Sequence, residues 1–386
     1  IITGAMLSIG RFSYTEDSMM VRILQCVNDM HRAGLETMIM NYYRNMDRDR
    51  IQFDFLTHRP ERSDFDDEIE NMGGRMYYAP RLYPQNYPSY FRWMYQFFKS
   101  HGEYQIVHSH IDAMSFLPLL AARISGIPVR IAHSHSTSID RDYKYILKQF
   151  YRMELNSVAN RRFACGEAAG KFLFRGKPFQ IIPNAVDARR FWFDGGLREQ
   201  KRRELGLENK FTVGHVGRFC YPKNHRFLID IFRELRRRCP ESVLLLAGVG
   251  EKEDEIKKYV LESGLQENVR FLENRSDVNE LYQVMDVFVL PSLFEGVPMV
   301  GLEAQFSDLP CFFSDRVPTE VQFNEEVHFI SLNSSADQWA EAILKTKGRK
   351  RTYNRTNILN SRFDIKVAYK ILERQYKQLW ENINGV

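Results

Sequence analysis

The sequence predicts an α/β protein built from two doubly wound domains that face each other across a cleft. From Val21 onward, short β-branched segments alternate with amphipathic segments, which is the pattern of a parallel sheet covered by helices on both faces. This series stops at a polar connection, residues 195–210, and a second series of the same kind starts at Phe211. A chain of 386 residues is long enough for two domains that each bury a core.

The β-branched segments place the strands, and the amphipathic segments between them place helices, for example over residues 35–46 and 114–126. Strands are predicted over residues 21–27, 51–56, 104–110, 129–135 and 162–166, and then over 211–216, 242–248, 269–273, 286–292, 310–315 and 327–332. Residues 364–383 form one long amphipathic pattern with no strand after it, so we expect a terminal helix that packs across the domains. The predicted divisions are a leader of unknown role (1–20), two domains (21–190 and 191–363) and the terminal helix segment (364–386).

The composition favours a soluble globular protein, with 44% hydrophobic and 27% charged residues. Its net charge of +5 is too small to predict a nucleic-acid surface. The five cysteines are scattered without a C-x-x-C pair, which favours a reducing compartment. No apolar run approaches the roughly 18 residues that a membrane span needs, and residues 1–20 lack the basic and apolar regions of a signal peptide. We therefore expect a cytoplasmic protein that binds no nucleic acid.

The segment HVGRFCYPKNHRFLIDIF (215–232) reads as a buried strand, a glycine turn at Gly217 and the start of a helix, an arrangement that often binds anions. It has neither the three spaced glycines of a dinucleotide site nor the GK[ST] ending of a P-loop. Instead, two cations, Arg218 and Lys223, lie five residues apart around the turn. They predict a phosphate site, and the alternative is an ordinary solvated loop.

A second motif, PSLFEGVPMVGLEAQFSDLP (291–310), carries two glutamates eight residues apart. Glu295 follows a predicted strand, and Pro298 suits the first turn of a helix that contains Glu303. A helix N-terminus attracts anions, and a carboxylate accepts paired sugar hydroxyls. This combination predicts a sugar nucleotide as ligand. In the alternative reading, Glu303 is a solvated helix residue and Glu295 a first-turn charge.

Two H-x-H pairs end neighbouring predicted strands: His108 with His110, and His133 with His135. Alternate strand residues share a face, so each pair could chelate zinc. No cysteine or acidic cluster accompanies them in the sequence, and a core position is the usual reading of a strand histidine such as His133.

Together with the two motifs, four further segments resemble the retaining nucleotide-sugar glycosyltransferases of family four. The six are FEGVPMVGLEA, GRFCYPKN, IIPNAVD (181–187), VRFLENRSDV (269–278), RIAHSH (130–135) and HRAGLETMIMNYYRNM (31–46). The resemblance covers nearly the whole chain from Val21 and implies the GT-B architecture of two Rossmann-like domains. The chain departs from the family pattern at Arg32, Ala33, Ala185 and Glu273, where glycine is more usual.

The resemblance also implies roles for individual residues. Arg218 and Lys223 would hold the donor diphosphate without a bound metal, and Glu303 would bind the nucleotide ribose. Glu295 would face the transferred sugar, beside His135. The remaining donor contacts would come from Gly34, Gly217, Asn274, Gly296, Val297, Met299 and Val300. We expect Asn184 to have a structural role in the interdomain connection.

The resemblance is closest to bacterial enzymes of capsule or exopolysaccharide assembly, which implies a glycan or polyprenyl-linked acceptor. Within the family a UDP-sugar is the most frequent donor, and a GDP-sugar is the alternative. Two segments that mix basic and aromatic residues, 81–100 and 141–156, fit either contact with an anionic membrane or ordinary helix packing. Three other functions remain open: a GT-B-fold sugar-nucleotide epimerase or hydrolase, a non-catalytic nucleotide-sugar-binding protein, and a nicotinamide oxidoreductase. The missing glycine fingerprint disfavours the last of these.

Overall fold

The computed structural model describes residues 20–139, 143–273, 275–351 and 361–385. Residues 1–19 of the predicted leader and Asn274 of the predicted donor site lie outside the described residues.

The strands of the first sheet are β1 (Val21–Cys26), β2 (Ile51–Thr57), β3 (Met76–Tyr78), β4 (Ile106–Ser109), β5 (Val129–Ser134), β6 (Arg161–Ala164) and β7 (Gln180–Ile181). Those of the second are β8 (Phe211–Val216), β9 (Ser242–Ala247), β10 (Val269–Phe271), β11 (Val287–Leu290), β12 (Cys311–Ser314) and β13 (Val327–Ile330).

Both sheets have the same topology. The first has the strand order β3-β2-β1-β4-β5-β6-β7 and the second the order β10-β9-β8-β11-β12-β13. All paired neighbours are parallel. In each sheet the strand order reverses once, between β1 and β4 or between β8 and β11, as in Rossmann-like folds. The predicted fold class, two doubly wound domains, is confirmed.

The strands are predictable because most of them are apolar along their whole length. β8, β9, β11 and β12 are buried at every residue, which requires helices on both faces of the sheet. The helices of the first half are α1 (Gly34–Asn45), α2 (Asp66–Asn71), α3 (Tyr87–Ser100), α4 (Phe116–Ile124), α5 (Tyr145–Val158) and α6 (Glu167–Phe174). Those of the second half are α7 (Gly195–Glu204), α8 (His225–Arg238), α9 (Glu253–Glu262), α10 (Val278–Val284), α11 (Met299–Phe306), α12 (Ala336–Leu344) and α13 (Ile365–Asn384).

The polar connection predicted over residues 195–210 is wrong in part, because most of it is the helix α7. Asp194 caps this helix by accepting a hydrogen bond from its first turn. The helix buries none of its residues, so it has no apolar stripe for a sequence pattern to reveal. Arg198 and Arg202 anchor it instead, through hydrogen bonds to backbone carbonyls just before β11. The edge strands β3 and β7 were also missed, because three and two residues are too few to show a pattern.

The terminal helix α13 crosses from the second domain to the first, as predicted. The chain enters it through a short parallel bridge, in which Val186 N donates to Phe363 O at 3.0 Å and Ile365 N donates to Val186 O at 2.9 Å. Farther along the helix, the Tyr376 hydroxyl lies 2.6 Å from Nδ1 of His108 on β4. The two segments that cross between the domains are thus hydrogen-bonded to each other, and the later part of α13 is held against the first sheet. Among the described residues, no helix combines the length and apolar character that a membrane span requires.

Candidate active site

The two motif loops meet where the strand order of the second sheet reverses. β8 ends at Val216 and continues into Gly217 and Arg218. Its neighbour β11 ends at Leu290 and continues into the loop that carries Glu295. The connections from two such strands run to opposite faces of the sheet, which leaves a crevice at the carboxyl ends of the strands. Doubly wound sheets bind their ligands in this crevice. The sequence motifs therefore occupy the expected binding crevice of this domain.

Lys223 and Glu295 form an ion pair at this crevice. Lys223 Nζ lies 2.7 Å from Glu295 Oε1, and the side chains are only 16% and 13% exposed. Ser292 Oγ donates to the same carboxylate oxygen at 2.7 Å. The backbone of Leu293 also donates to Pro222 O at 2.7 Å, which joins the two loops. The reading of Lys223 as a solvated loop residue is therefore wrong, and so is that of Glu295 as an isolated first-turn charge.

Arg218 differs from Lys223 because its side chain is 70% exposed. Its Nη2 lies 3.2 Å from Oε2 of Glu251, which is also largely exposed. Glu251 belongs to the loop that begins at Gly248, and this loop packs closely against the loop that carries Arg218. A Cβ added at Gly248 would lie 2.1 Å from the carbonyl oxygen of Gly217. The two loops therefore pack backbone against backbone. An ion pair at the surface contributes little stability, so a phosphate can replace Glu251 at small cost.

Glu303 is buried inside α11, so the reading of it as a solvated helix residue is wrong. Its Oε2 accepts a hydrogen bond from the Tyr282 hydroxyl at 2.8 Å. Burial raises the pKa of the Glu303 carboxyl to about 7, while the hydrogen bond from Tyr282 and the charge of Arg190 act in the opposite direction. A carboxyl with this pKa changes its charge near neutral pH.

The first turn of α1 approaches α11 across the domain interface. A Cβ added at Gly34 would lie 3.8 Å from Cγ of Met299. Two residues later, Glu36 is buried, and burial raises its pKa to about 8. The nearby charge of Arg218 lowers that pKa, whereas Asp29 raises it further. The structure thus places a carboxyl that the sequence analysis did not single out close to a predicted phosphate cation.

The first domain holds the backbone of the Glu295 loop directly. Its side chains donate two hydrogen bonds to loop carbonyls: Thr137 Oγ1 to Glu295 O at 2.6 Å, and Asn184 Nδ2 to Val297 O at 2.5 Å. A Cβ added at Gly296 would lie 2.1 Å from the carbonyl oxygen of His135, so only glycine fits there. His135 is held in turn by its own backbone N–H, which donates to Asp112 Oδ1 at 2.8 Å.

Of the predicted site residues, the structure brings Lys223, Glu295, Gly296 and His135 together at one point of the domain interface. Gly34 and Met299 meet beside them, while Glu303 lies one helical turn farther along α11. Val297 and Met299 bury their side chains, so their predicted donor contacts would have to come from the backbone. The predicted roles of these residues stay predictions.

The four histidines of the H-x-H pairs lie side by side in the first domain. One ligand atom each from His108, His110 and His133 lies within 4.8 Å of the other two, which is close enough for a shared metal ion. Five of their six ring nitrogens already have a hydrogen-bond partner, however, and only His133 Nε2 has none. All three are fully buried, and burial lowers their pKa values, so the rings are neutral. The contacts favour a hydrogen-bonded cluster over a zinc site.

Sequence reasoning missed the partners of the predicted residues. Ser292, Tyr282, Thr137 and Glu251 all contact them, and Glu36 adds a buried carboxyl. Most of these partners lie 21 to 158 residues away along the chain, so no local spacing signals them.

Comparison with known proteins assigns the family. Residues 32–190 match the sequence model of Glycosyltransferase Family 4, and residues 198–357 match that of Glycosyl transferases group 1. EpsF of Bacillus subtilis is 36% identical over 334 residues, which cover 84% of this chain and 87% of EpsF. The capsular polysaccharide biosynthesis glycosyltransferase CapH of Staphylococcus aureus is 23% identical over 378 residues, which cover 92% of this chain and 99% of CapH.

Solved structures of similar fold include Anabaena Alr3699/HepE in complex with UDP and glucose. That structure has a TM-score of 0.77 at 19% identity and covers 93% of this chain and 100% of its own. The sucrose-phosphate synthase of Thermosynechococcus elongatus has a TM-score of 0.73 at 16% identity and covers 94% of this chain and 99% of its own. At such identities the likeness concerns the fold alone. The two family models together match both halves of the chain, and the similarity to EpsF extends over most of both proteins. The chain therefore belongs to the group 1 glycosyltransferases of family 4 and has their two-domain GT-B fold.

Proposed function

We propose that this glycosyltransferase transfers a hexose, with retention of anomeric configuration and without a metal ion, from a UDP-sugar to a glycan or polyprenyl-linked acceptor of a bacterial surface polysaccharide. The observation that carries the proposal is the ion pair of Lys223 and Glu295 at the end of β8 and β11, with Arg218 on the same crevice. A relative from Escherichia coli, 29% identical over 225 residues, is named as a galactosyltransferase that uses UDP-Gal and a diphosphoundecaprenol-linked GlcNAc. It covers 55% of this chain and 58% of its own length.

The cations would act on the leaving group. As the bond between the sugar C1 and the phosphate oxygen breaks, negative charge builds on the diphosphate. A lysine ammonium has three donors, so Lys223 can keep its hydrogen bond to Glu295 while it donates to a phosphate oxygen. Arg218 would supply the second positive charge. In this reaction the acceptor oxygen bonds to C1 on the face that the phosphate leaves, and the acceptor proton passes to the leaving phosphate oxygen.

The carboxyls would position the donor. Glu295, held by Lys223 and Ser292, would accept hydroxyl groups of the transferred sugar. Glu303, buried on α11, would accept the ribose hydroxyls. Gly296 lets the first-domain backbone at His135 close directly on this loop, which would exclude water from the reacting centre.

Binding of UDP-glucose should become tighter as the pH rises from about 6 to about 8. The diphosphate of UDP-glucose does not titrate in this range, whereas Glu303, with a pKa of about 7, passes from mostly neutral to mostly ionised. Because only the ionised form accepts two ribose hydroxyls, the affinity should rise by roughly tenfold, and binding should release a proton. Isothermal titration calorimetry in buffers of different ionisation enthalpy measures both effects.

Glu303→Gln is the control for this pH dependence. Its amide does not titrate, so the affinity of the variant should lack the tenfold rise over the same range. Glu36, with a pKa of about 8, gains negative charge at higher pH in both proteins. Its effect on the affinity is therefore the same in both and cancels when the two proteins are compared. An equal pH dependence in the two proteins would contradict the assignment of Glu303 to the ribose.

The acceptor side of the proposal involves the surface of α5. The aromatic–basic segment over residues 81–100 packs its apolar side chains into the first domain through α3. The described part of the second segment instead exposes a row of apolar side chains, namely Tyr143, Ile146, Phe150 and Met153, which are 81%, 83%, 48% and 51% exposed. Ile146, Phe150 and Met153 are spaced so that they share one face of α5, and Tyr143 lies two residues before the helix begins. Three basic residues against one acidic residue over 143–158 favour an anionic lipid surface.

Vesicles that contain anionic lipid should sediment the protein at low salt. The double variant Ile146→Glu/Phe150→Glu should lose this binding, because it places two carboxylates where apolar side chains would enter the interface. Leu261→Glu is the matched control, since Leu261 is 64% exposed on α9 of the second domain. Equal sedimentation of all three proteins, or none by the wild type, would contradict the proposed membrane contact.

A panel of nucleotide sugars tests the function itself. The true donor should stabilise the protein by about 2.7 kcal/mol at 100 times its dissociation constant, and sugar should appear on a polyprenyl-diphosphate-linked glycan. Rapid consumption of the donor without an acceptor would instead indicate an epimerase or hydrolase. Binding without turnover for any acceptor would indicate a nucleotide-sugar-binding protein.

A further inference from the structure

Six side chains form one continuous hydrogen-bonded chain in the first domain, and the proposed function uses only its last member. They come from β1, β4, β5, the residues that follow β4 and β5, and the terminal helix α13. We call them the histidine chain: His133, His108, Tyr376, Gln25, His110 and His135. The first five are at most 4% exposed. The chain therefore connects the buried face of α13 to the histidine that lies against Gly296.

The inner half of the chain is centred on the Tyr376 hydroxyl. His108 Nδ1 lies 2.6 Å from the Tyr376 oxygen, and His108 Nε2 lies 3.1 Å from His133 Nδ1. Gln25 Nε2 donates to the same tyrosine oxygen at 3.2 Å. Of these two partners of the hydroxyl, Gln25 Nε2 can only donate, so the hydroxyl donates its single proton to His108 Nδ1.

The outer half runs from Gln25 toward the domain interface. Gln25 Oε1 lies 2.8 Å from His110 Nε2, and His110 Nδ1 lies 3.1 Å from His135 Nε2. A carbonyl oxygen only accepts, so His110 carries its proton on Nε2 and a lone pair on Nδ1. The Nε2 of His135 must then donate to that lone pair, because a neutral imidazole has one donor and one acceptor.

Burial keeps all the rings in this neutral form. It lowers the pKa of His108, His110 and His133 well below the ordinary value and that of His135 to about 3. A protonated ring would have two donors and would break the alternation of donors and acceptors along the chain. The geometry and the charge state thus agree on one arrangement of protons.

We propose that Gln25 and Tyr376 are positioning residues, which act through His110 to hold His135 with its proton on Nε2 and its Nδ1 lone pair free to accept a hydroxyl of the transferred sugar. This inference rests on the proposed function, since only a bound donor brings a sugar to His135. The terminal helix α13 would then contribute to catalysis indirectly, because it carries the Tyr376 hydroxyl that orients the Gln25 amide.

Nitrogen NMR of histidine-labelled protein reads the tautomer directly and needs no substrate. In the wild type, His135 should show a protonated Nε2 and an unprotonated Nδ1, with its signals assigned by their loss in His135→Gln. Tyr376→Phe removes the hydroxyl that holds the Gln25 amide, and Gln25→Leu removes the amide. Both variants should show a mixture of the two His135 tautomers.

Activity provides the second measurement. With the donor identified by the panel above, Tyr376→Phe should lower kcat by roughly tenfold, with little change in the KM for the donor, because the diphosphate and ribose contacts are untouched. The loss should vanish with the one deoxy-sugar donor that lacks the hydroxyl bound by His135, since that donor has no hydrogen bond left to weaken.

Tyr42→Phe is the matched control. Tyr42 is equally buried, and its hydroxyl donates to Pro183 O at 2.6 Å, outside the histidine chain. This variant loses a buried hydroxyl and some stability but should keep the His135 tautomer and the wild-type kcat. Equal effects of Tyr42→Phe and Tyr376→Phe would show that Tyr376 is merely structural and would overturn the inference.

Two other results would also overturn it: a protonated Nδ1 on His135 in the wild type, or about one zinc ion per chain in purified protein. Zinc would occupy the ring nitrogens that the chain uses for hydrogen bonds. If the wild type bound no nucleotide sugar but had the expected tautomer, only the proposed function would fail. If it transferred sugar while Tyr376→Phe changed neither the tautomer nor kcat, only this inference would fail.

Discussion

Replacement of Lys223 by alanine should lower sugar transfer by on the order of a hundredfold or more. The substitution removes one of two cations that would face the leaving diphosphate. It also leaves the Glu295 carboxylate, only 13% exposed, without its cationic partner. Glu295→Ala should lower turnover to a similar extent, because it removes the proposed contact to the sugar. Turnover is measured as UDP released in the presence of the acceptor identified for the wild type.

Lys257→Ala controls for the loss of a lysine from an ion pair. Lys257 pairs with Glu253 at 2.6 Å on α9, and neither residue belongs to the proposed donor contacts, so its loss should leave turnover unchanged. Near-normal transfer by both Lys223→Ala and Glu295→Ala would refute the assignment of this ion pair to the donor site.

The double variant Lys223→Ala/Glu295→Gln separates the two effects of the lysine. In Lys223→Ala alone, an unpaired carboxylate repels the diphosphate. The second substitution removes that charge, so the double variant should bind UDP more tightly than Lys223→Ala does. Equal or weaker binding by the double variant would show that the two side chains do not share one site.

Substitution of Gly296 by alanine should also abolish most of the activity. The added Cβ would lie 2.1 Å from the carbonyl oxygen of His135 and 3.2 Å from Cys165 Sγ, so the loop has to move away from the first domain. This movement displaces Glu295, and a misplacement of about 1 Å can lower the rate by on the order of a hundredfold. The measurement is turnover at saturating donor, with the thermal unfolding temperature recorded for the same samples.

Gly195→Ala is the control, because a Cβ at this position meets no atom within 4 Å. It should behave as the wild type in both measurements. A fully active Gly296→Ala would mean that the contact between His135 and the loop is not needed during catalysis.

Much of the fold could be predicted because parallel strands buried on both faces leave a strong signal. The apolar runs of β8, β9 and β11 predicted strands, and the polar or glycine residues after them marked the strand ends. The binding motifs follow these ends, so the position of the crevice could also be predicted. The helix α7 could not, because hydrogen bonds from arginine side chains hold it rather than an apolar face.

The interior of the site was less predictable, because its key contacts join residues far apart in the sequence. Lys223 and Glu295 are 72 residues apart, and His108 and Tyr376 are 268 apart. Each of the two motifs identified one residue of the Lys223–Glu295 pair. The spacing within a motif could not show that the Lys223 ammonium forms an ion pair with the Glu295 carboxylate. The sequence position of Glu303 in a helix was equally compatible with a buried and a solvent-exposed side chain. The structure shows that the side chain is buried.

A crystal structure of the protein with bound UDP tests the proposed donor site most directly. A β-phosphate oxygen should lie within about 3.2 Å of Lys223 Nζ, and a ribose hydroxyl should lie at hydrogen-bond distance from the Glu303 carboxylate. UDP bound away from the ends of β8 and β11, with Lys223 and Glu303 in contact with protein atoms alone, would contradict the proposed site.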